Sequence, residues 1–438
     1  MIRKLGEKEG KPLPISEASF PAPFDAGLEY AAPARGTWNI AHTGMLVPEA
    51  HEIFVCAQGC LRGVVLTAAE MGASERFSTV AVRENNVLDG DLENLLVEGV
   101  TDILEKLPSL PPAVLVYTSC VHHFMGTDLT LAYGELGRRF PSVRFTDCYM
   151  NPIMRKSGLT PDQLMRRQLY SLLDPKEHDP KTVLSVGGDF AVEEGDFTAL
   201  LRENGFRHSE IQQAKTFSEY LELARAAFAL TTQPAAIPAG KMLAEKHGMK
   251  HLHLPFSFDA DEIEAQYEKL CAALGIPVPD WSQNRAECEA AMREAKRVIG
   301  DVPVVIDYTA FSRPLSLARL LLKHGFRVKR IYADSFTGEE KEDFEALKHE
   351  APQLMIWPTV HPSMRVMPRD GDPRTLAVGQ KAAYFTSSPH FVNVVENGGL
   401  WGFDAVIRTA ELMTEAFLEE KDTRGLIGIK GWGCGLCQ

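Results

Sequence analysis

The chain has 438 residues, 45% of them apolar and 24% charged, and a formal net charge of −13. Single cores stop growing at roughly 250–300 residues, so two or three domains are expected. The acidic balance argues against a duplex nucleic-acid surface, which needs a basic face, and is compatible with docking a basic protein partner.

The first residues, "MIRKLGEKEGKPLPISEASFPAPF", carry charges and prolines but no apolar core of a signal peptide. No apolar run approaches the roughly 18–20 residues of a membrane span. The expectation is a cytoplasmic protein with no membrane partner, where thiols stay reduced. Its eight cysteines then read as metal ligands, catalytic groups or core residues rather than disulfides.

After an irregular, proline-rich stretch, one unit recurs along the chain. "HEIFVC" is a short β-branched and aromatic run followed by a helical pattern from Leu61. "AVLVYTSC" leads into "GTDLTLAYGELGRRF", and "VRFTDC" into "TPDQLMRRQLYSLL". The last helix has a clear start, with Thr160 at N-cap, Pro161 at N1 and Gln163 at N3 as a capping box. "KTVLSVGGDF" and "VPVVIDYTAF" restart the unit. The segments "LLRENGFR" and "LLLKHGFR" form a weak repeat, a helix stopped by glycine and then a strand. Strands alternating with helices predict an α/β fold with parallel sheets of Rossmann-like βαβ units. Three domains are expected, over residues 1–175, 176–290 and 291–438, with "DWSQNRAECEAAMREAKRV" as a helix linking the second to the third.

In open α/β sheets, ligands bind outside the carboxyl ends of the strands. Cys56, Cys60, Cys120 and Cys148 all fall at strand exits of the first domain. Nearby helix N-termini favour thiolate, the form that ligates metal. Free cysteines are also among the most buried residue types, and C-x3-C alone is no standard zinc or ferredoxin signature. The signal is the shared location. Cys271 and Cys288 sit in helical patterns and read as core or packing residues. Cys434 and Cys437 form a C-x2-C on a glycine-rich tail, open to either ligation or idleness. His122 and His123, directly after Cys120, are candidate proton donors or structural groups. Arg155, Lys156, Arg166 and Arg167 read first as a solvated basic face and second as an anion site. No G-x-x-x-x-G-K-[ST] loop is present, so ATP hydrolysis by this chain is not expected, and "VGGDF" lacks the third glycine of a dinucleotide fingerprint.

With the thiols placed, the chain resembles component 1 of nitrogenase and its relatives, from about Trp38 to Glu419. These relatives include light-independent protochlorophyllide reductases, the nickel-sirohydrochlorin reductive cyclase, methylthio-alkane reductases and cofactor-assembly scaffolds. "QGCLRGVVLTAAEMGASERFSTVAVRENNVLDGDLENL" is similar to the family's glycine-cysteine turn and the segment after it. "AVLVYTSCVHHFMGTDL" resembles the strand that delivers a second cluster cysteine. "MLAEKHGMKHLHLP" and "GGLWGFDAVIRTAELM" resemble later landmarks.

The resemblance implies an iron–sulfur cluster, of [4Fe–4S] type, with Cys60 and Cys120 at two ligand positions and Cys148 near a third position used by some members. The family's first ligand is expected near "TWNIAHTGML", which holds no cysteine, and Cys56 is the natural substitute, with the fourth ligand expected from Cys148, a partner subunit or a non-cysteine group. The position of the cofactor-ligating cysteine falls near Thr232, and that of the cofactor histidine on Trp401. A hydroxyl and an indole are poor iron ligands, which argues against dinitrogen reduction on a molybdenum–iron cofactor. The resemblance further implies a separate ATP-hydrolysing iron protein as electron donor, no nucleotide bound by this chain, and a homodimer or a paired homologous subunit. The alternative it leaves open is a non-catalytic scaffold for cofactor assembly.

Overall fold

The computed structural model describes residues 11–25, 27, 29–34, 40–151, 158–367 and 374–428. By contact, the chain divides into two compact units. One comprises the described residues before 37, Val192–Asn204 and those from Leu254 onward. The other comprises the described residues from 40 to Ala191 together with Gly205–His253.

Fourteen strands occur among the described residues. The first, β1 (Leu13–Pro14), is a two-residue edge. Four strands then form a parallel sheet: β2 (His51–Ala57), β3 (Phe77–Val82), β4 (Ala113–Ser119) and β5 (Arg144–Met150), in the order β3-β2-β4-β5. A second parallel sheet holds β6 (Asp179–Ser185), β7 (Arg207–Glu210), β8 (Ala226–Thr231) and β9 (Lys250–His253), in the order β7-β6-β8-β9. Both belong to the same unit. The other unit holds β10 (Pro303–Asp307), β11 (Arg327–Tyr332), β12 (Met355–Trp357), β13 (Leu376–Val378) and β14 (Phe391–Val392). Its order is β1-β12-β11-β10-β13-β14, parallel except for β1. The predicted α/β architecture with parallel sheets is therefore the one present.

Local signals placed many of the helices. Thr160 Oγ1 accepts from Gln163 N–H at 3.2 Å while Gln163 Oε1 accepts from Thr160 N–H at 2.9 Å, so the capping box opens the helix Pro161–Gln168. The repeat's glycines, Gly205 and Gly325, have φ of 71° and 76°, which lets the chain leave the helix and enter β7 and β11. "DWSQNRAECEAAMREAKRV" folds as the helix Ser282–Ile299. In the first sheet, Phe54, Tyr117 and Cys148 lie on one apolar face with Met165. Ile53, Val55, Val114 and Val116 pack on the opposite face with the helix Leu92–Lys106. No helix of the described residues is long and apolar enough to cross a membrane.

In the unit carrying β10–β14, two helix N-termini close each other. Asp404 accepts from Asp196 N–H at 2.6 Å, and Asp196 accepts from Phe403 N–H at 2.6 Å and Phe197 N–H at 2.9 Å. Gly195 and Gly402 permit this approach, because a Cβ on either would overlap the facing carboxylate. Burial first, and then the charge of Asp404, push Asp196 up to about 6. An acid whose folded pKa lies above its unfolded value stabilises the fold while protonated, so this contribution is lost as pH rises from about 4 to 6. Asp404→Asn keeps an oxygen for Asp196 N–H and removes the like charge. Relative to the parent, the variant should gain stability through that window, by roughly 1 kcal/mol at pH 7–8. Urea unfolding as a function of pH checks this, and a difference independent of pH would contradict it.

Candidate metal centre

Two strand ends in the first sheet bring three thiols together. Cys56 is the penultimate residue of β2, and Cys60 lies in the first turn of the helix Gln58–Glu70 that follows. Cys120 opens the helix Cys120–Met125 directly after β4. Because β2 and β4 are adjacent, with Val55 opposite Thr118, their carboxyl ends deliver these thiols to one edge. Cys56 is fully buried, Cys120 half-buried and Cys60 exposed. Burial pushes the Cys56 thiol up to about 12, and thiolate charge on Cys60 and Cys120 adds to that shift. Cys60 and Cys120 thus both lie close enough to Cys56 to act on its thiol. Among the described residues, no three His, Cys, Asp or Glu side chains converge on a single metal ion.

Cys148 is set apart from the other three. It pairs with Tyr117, which pairs with Phe54, so it lies one row deeper than Cys56, on the same face. Burial raises its thiol well above the ordinary range, followed by the charges of Asp147 and Glu52, and its hydrogen bond to Tyr117 opposes the rise. Glu52 is buried too, and burial drives its carboxyl upward so that the neutral acid is favoured. The Tyr117 hydroxyl lies 3.0 Å from both Glu52 Oε1 and the Ile40 carbonyl. Gly44 closes over the pair, where a Cβ would overlap Glu52 and Tyr117. Sequence reasoning singled out neither Glu52 nor Ser119, the last residue of β4. Ser119 is 4% exposed, and its hydroxyl has no hydrogen-bond partner among the described residues. Leaving a buried polar group unpaired costs about 1–3 kcal/mol, and Glu52 Oε2 and His122 Nε2 are unpaired among the described residues as well.

The two histidines differ sharply. His122 is buried, and its Nδ1 accepts from Ser119 N–H at 3.2 Å, so the neutral ring carries its proton on Nε2. Burial lowers its pKa, and Glu93 is the nearby opposing charge. His123 is exposed, with its ring 6.4 Å from that of Phe124. Of the basic group, Arg155 and Lys156 lie outside the described residues. Arg166 is not on a solvated face. Its guanidinium is buried against Asp189 at 3.1 Å, Asp162 at 3.2 Å and the carbonyl of Gly187. Cys271 is buried, as is Cys288, whose thiol donates to the Phe403 carbonyl at 3.3 Å. Cys434 and Cys437 lie outside the described residues.

The family model for nitrogenase component 1 type oxidoreductases matches residues 41–417. The chain belongs to this family. The structure of nitrogenase Cp1 at pH 6.5 superposes with a TM-score of 0.65 over 90% of this chain and 94% of that one, at 14% identity. Nitrogenase Cp1 at pH 5 gives 0.58 over 92% and 94%, at 12% identity. At these identities the likeness shows the fold alone. No curated protein matches the sequence. Proteins of the nitrogenase component 1 family typically bind iron–sulfur clusters, work with an iron protein and form multimers.

The site fits such a cluster in its donor set, with three soft sulfurs at one sheet edge beside an unpartnered buried hydroxyl. Thr232 and Trp401, the two positions at which the sequence resemblance leads one to expect ligands of a molybdenum–iron cofactor, carry no soft donor. Thr232 is a half-buried hydroxyl just past β8. Trp401 is packed edge-on to Phe197 at 5.3 Å and Tyr267 at 4.9 Å, as part of an aromatic core.

Proposed function

We propose that the chain is the catalytic subunit of a nitrogenase-like reductase. Cys56, Cys60 and Cys120 would hold a [4Fe–4S] cluster, which supplies one-electron storage at low potential. Electrons would come from a separate ATP-hydrolysing iron protein and go to an organic or metal-containing substrate other than dinitrogen. The observation that carries this reading is the meeting of three thiols at the carboxyl edge of β2 and β4 in a chain of this family.

The surroundings support it. Cys56 anchors the site from a dry strand end, and Cys60 and Cys120 face outward, where a partner can approach. Phe124 and Met125, on the helix that Cys120 opens, are 69% and 45% exposed and offer apolar surface to a paired subunit, either a second copy or a homologue. His123 is exposed, and the neutral His122 ring carries its proton on Nε2, so these two would serve as proton donors.

Protein purified without oxygen should be brown and contain iron and acid-labile sulfide. A colourless chain that takes up no iron after anaerobic reconstitution would overturn the reading. Co-purified substrate would support catalysis, whereas release of the cluster to a recipient protein would point to an assembly scaffold.

A further inference from the structure

Three thiols leave one iron of a [4Fe–4S] cluster without a protein ligand, since such clusters are ordinarily held by four. Ser119 ends β4 directly before Cys120. A serine at the N-cap of a helix ordinarily accepts from a backbone N–H of the first turn. Here the Ser119 hydroxyl makes no such bond, although the Ser119 N–H itself donates to His122 Nδ1. The hydroxyl, with one donor and two acceptor positions, is left buried and unused among the described residues.

Its placement follows from the sheet. Alternation puts Ser119 on the face of Tyr117, and Tyr117 stacks on Phe54 at 4.0 Å across the strand pair. One step further along the same register, Ser119 comes opposite Cys56. Cys120 follows Ser119 in the chain, and Cys60 lies in the first turn of the helix that follows β2. The hydroxyl therefore lies at the same carboxyl edge of β2 and β4 as the three thiols. The other oxygen and sulfur donors nearby are less well placed. Cys148 lies a row deeper against Tyr117, and Glu52 a row deeper still, bonded to the same hydroxyl.

We propose that Ser119 Oγ is the fourth ligand, bound to the iron that the three thiolates leave open. The assignment rests on the reading of this edge as a cluster site. Ligation forms an iron–oxygen bond, displaces a water from that iron and releases the hydroxyl proton to solvent. No electron is exchanged in this step. An oxygen is a harder donor than thiolate, so this corner is the one that exchanges iron most readily.

The test uses the full chain, reconstituted anaerobically with ferrous iron and sulfide, as Ser119→Val, Ser119→Thr and Ser119→Cys beside the parent. Valine copies the shape of threonine without the oxygen. The parent and Ser119→Thr should hold the full cluster. Ser119→Val should lose about one iron in four and show the paramagnetic signal of a three-iron cluster when oxidised. Ser119→Cys should restore the iron. If Ser119→Val fails to fold, Mössbauer spectra with the exchangeable corner labelled by 57Fe decide between oxygen in Ser119→Thr and sulfur in Ser119→Cys, and identical spectra would overturn the assignment. Equal iron in Ser119→Val and the parent also overturns it while leaving the cluster reading intact. A loss of one iron in Cys434→Ala/Cys437→Ala would assign the corner to the tail instead. If the parent itself takes up no iron, the cluster reading fails, a result distinct from all of these.

Discussion

Cys120→Ala and Cys60→Ala should each yield a folded chain that retains only a minor part of its iron, whereas Cys148→Ala should keep the cluster and lose stability. Cys60 is exposed and Cys120 half-buried, so shortening either removes little packing. Surface changes of this kind usually stay within about 0.5 kcal/mol. Their loss would be felt by the cluster, which gives up one of few protein ligands. Cys148 is 1% exposed and touches Tyr117 within the core, so alanine leaves a cavity and takes a hydrogen-bond partner from a buried phenol. That should cost on the order of 1–2 kcal/mol. Iron content and melting temperature, measured on all three variants, separate the two effects. Loss of iron in Cys148→Ala comparable to that in Cys120→Ala would place Cys148 among the ligands.

The contrast between Cys120 and Cys148 shows how far the sequence could be read. Both end an apolar run, and nothing local distinguishes them. The difference lies in register: β4 stops at Ser119, just before Cys120, while β5 runs two residues past Cys148 to Met150. Register is set by pairing between strands, so it emerges only in the assembled sheet. The alternation of strands and helices, the capping box at Thr160 and the glycine stops at Gly205 and Gly325 are local signals, and they were legible. Arg166 was not, because its partner Asp189 lies in the turn after β6 and the helix pattern around it looks solvated. Edge strands such as β1, two residues long, carry too little pattern to be seen. Ser119 has an ordinary helix-cap identity in sequence, and only the absence of its cap bond draws notice.

The second large effect concerns electron delivery. Sequence provides no phosphate-binding loop of the G-x-x-x-x-G-K-[ST] kind, so the chain has no evident means of coupling ATP hydrolysis itself. Its family works with an iron protein. Docking of that protein should be transient, and weakened by salt to the extent that the net charge of −13 guides the encounter. The isolated chain should show negligible ATPase activity, and its cluster should stay oxidised when the iron protein is added with a non-hydrolysable ATP analogue. The direct measurement is electron paramagnetic resonance of the anaerobic mixture, with ATP in one sample and the analogue in the other. A reduced-cluster signal from this chain in the ATP sample alone is the result expected of a nitrogenase-like reductase. Equal reduction in both samples, or ATP hydrolysis by this chain on its own, would contradict it.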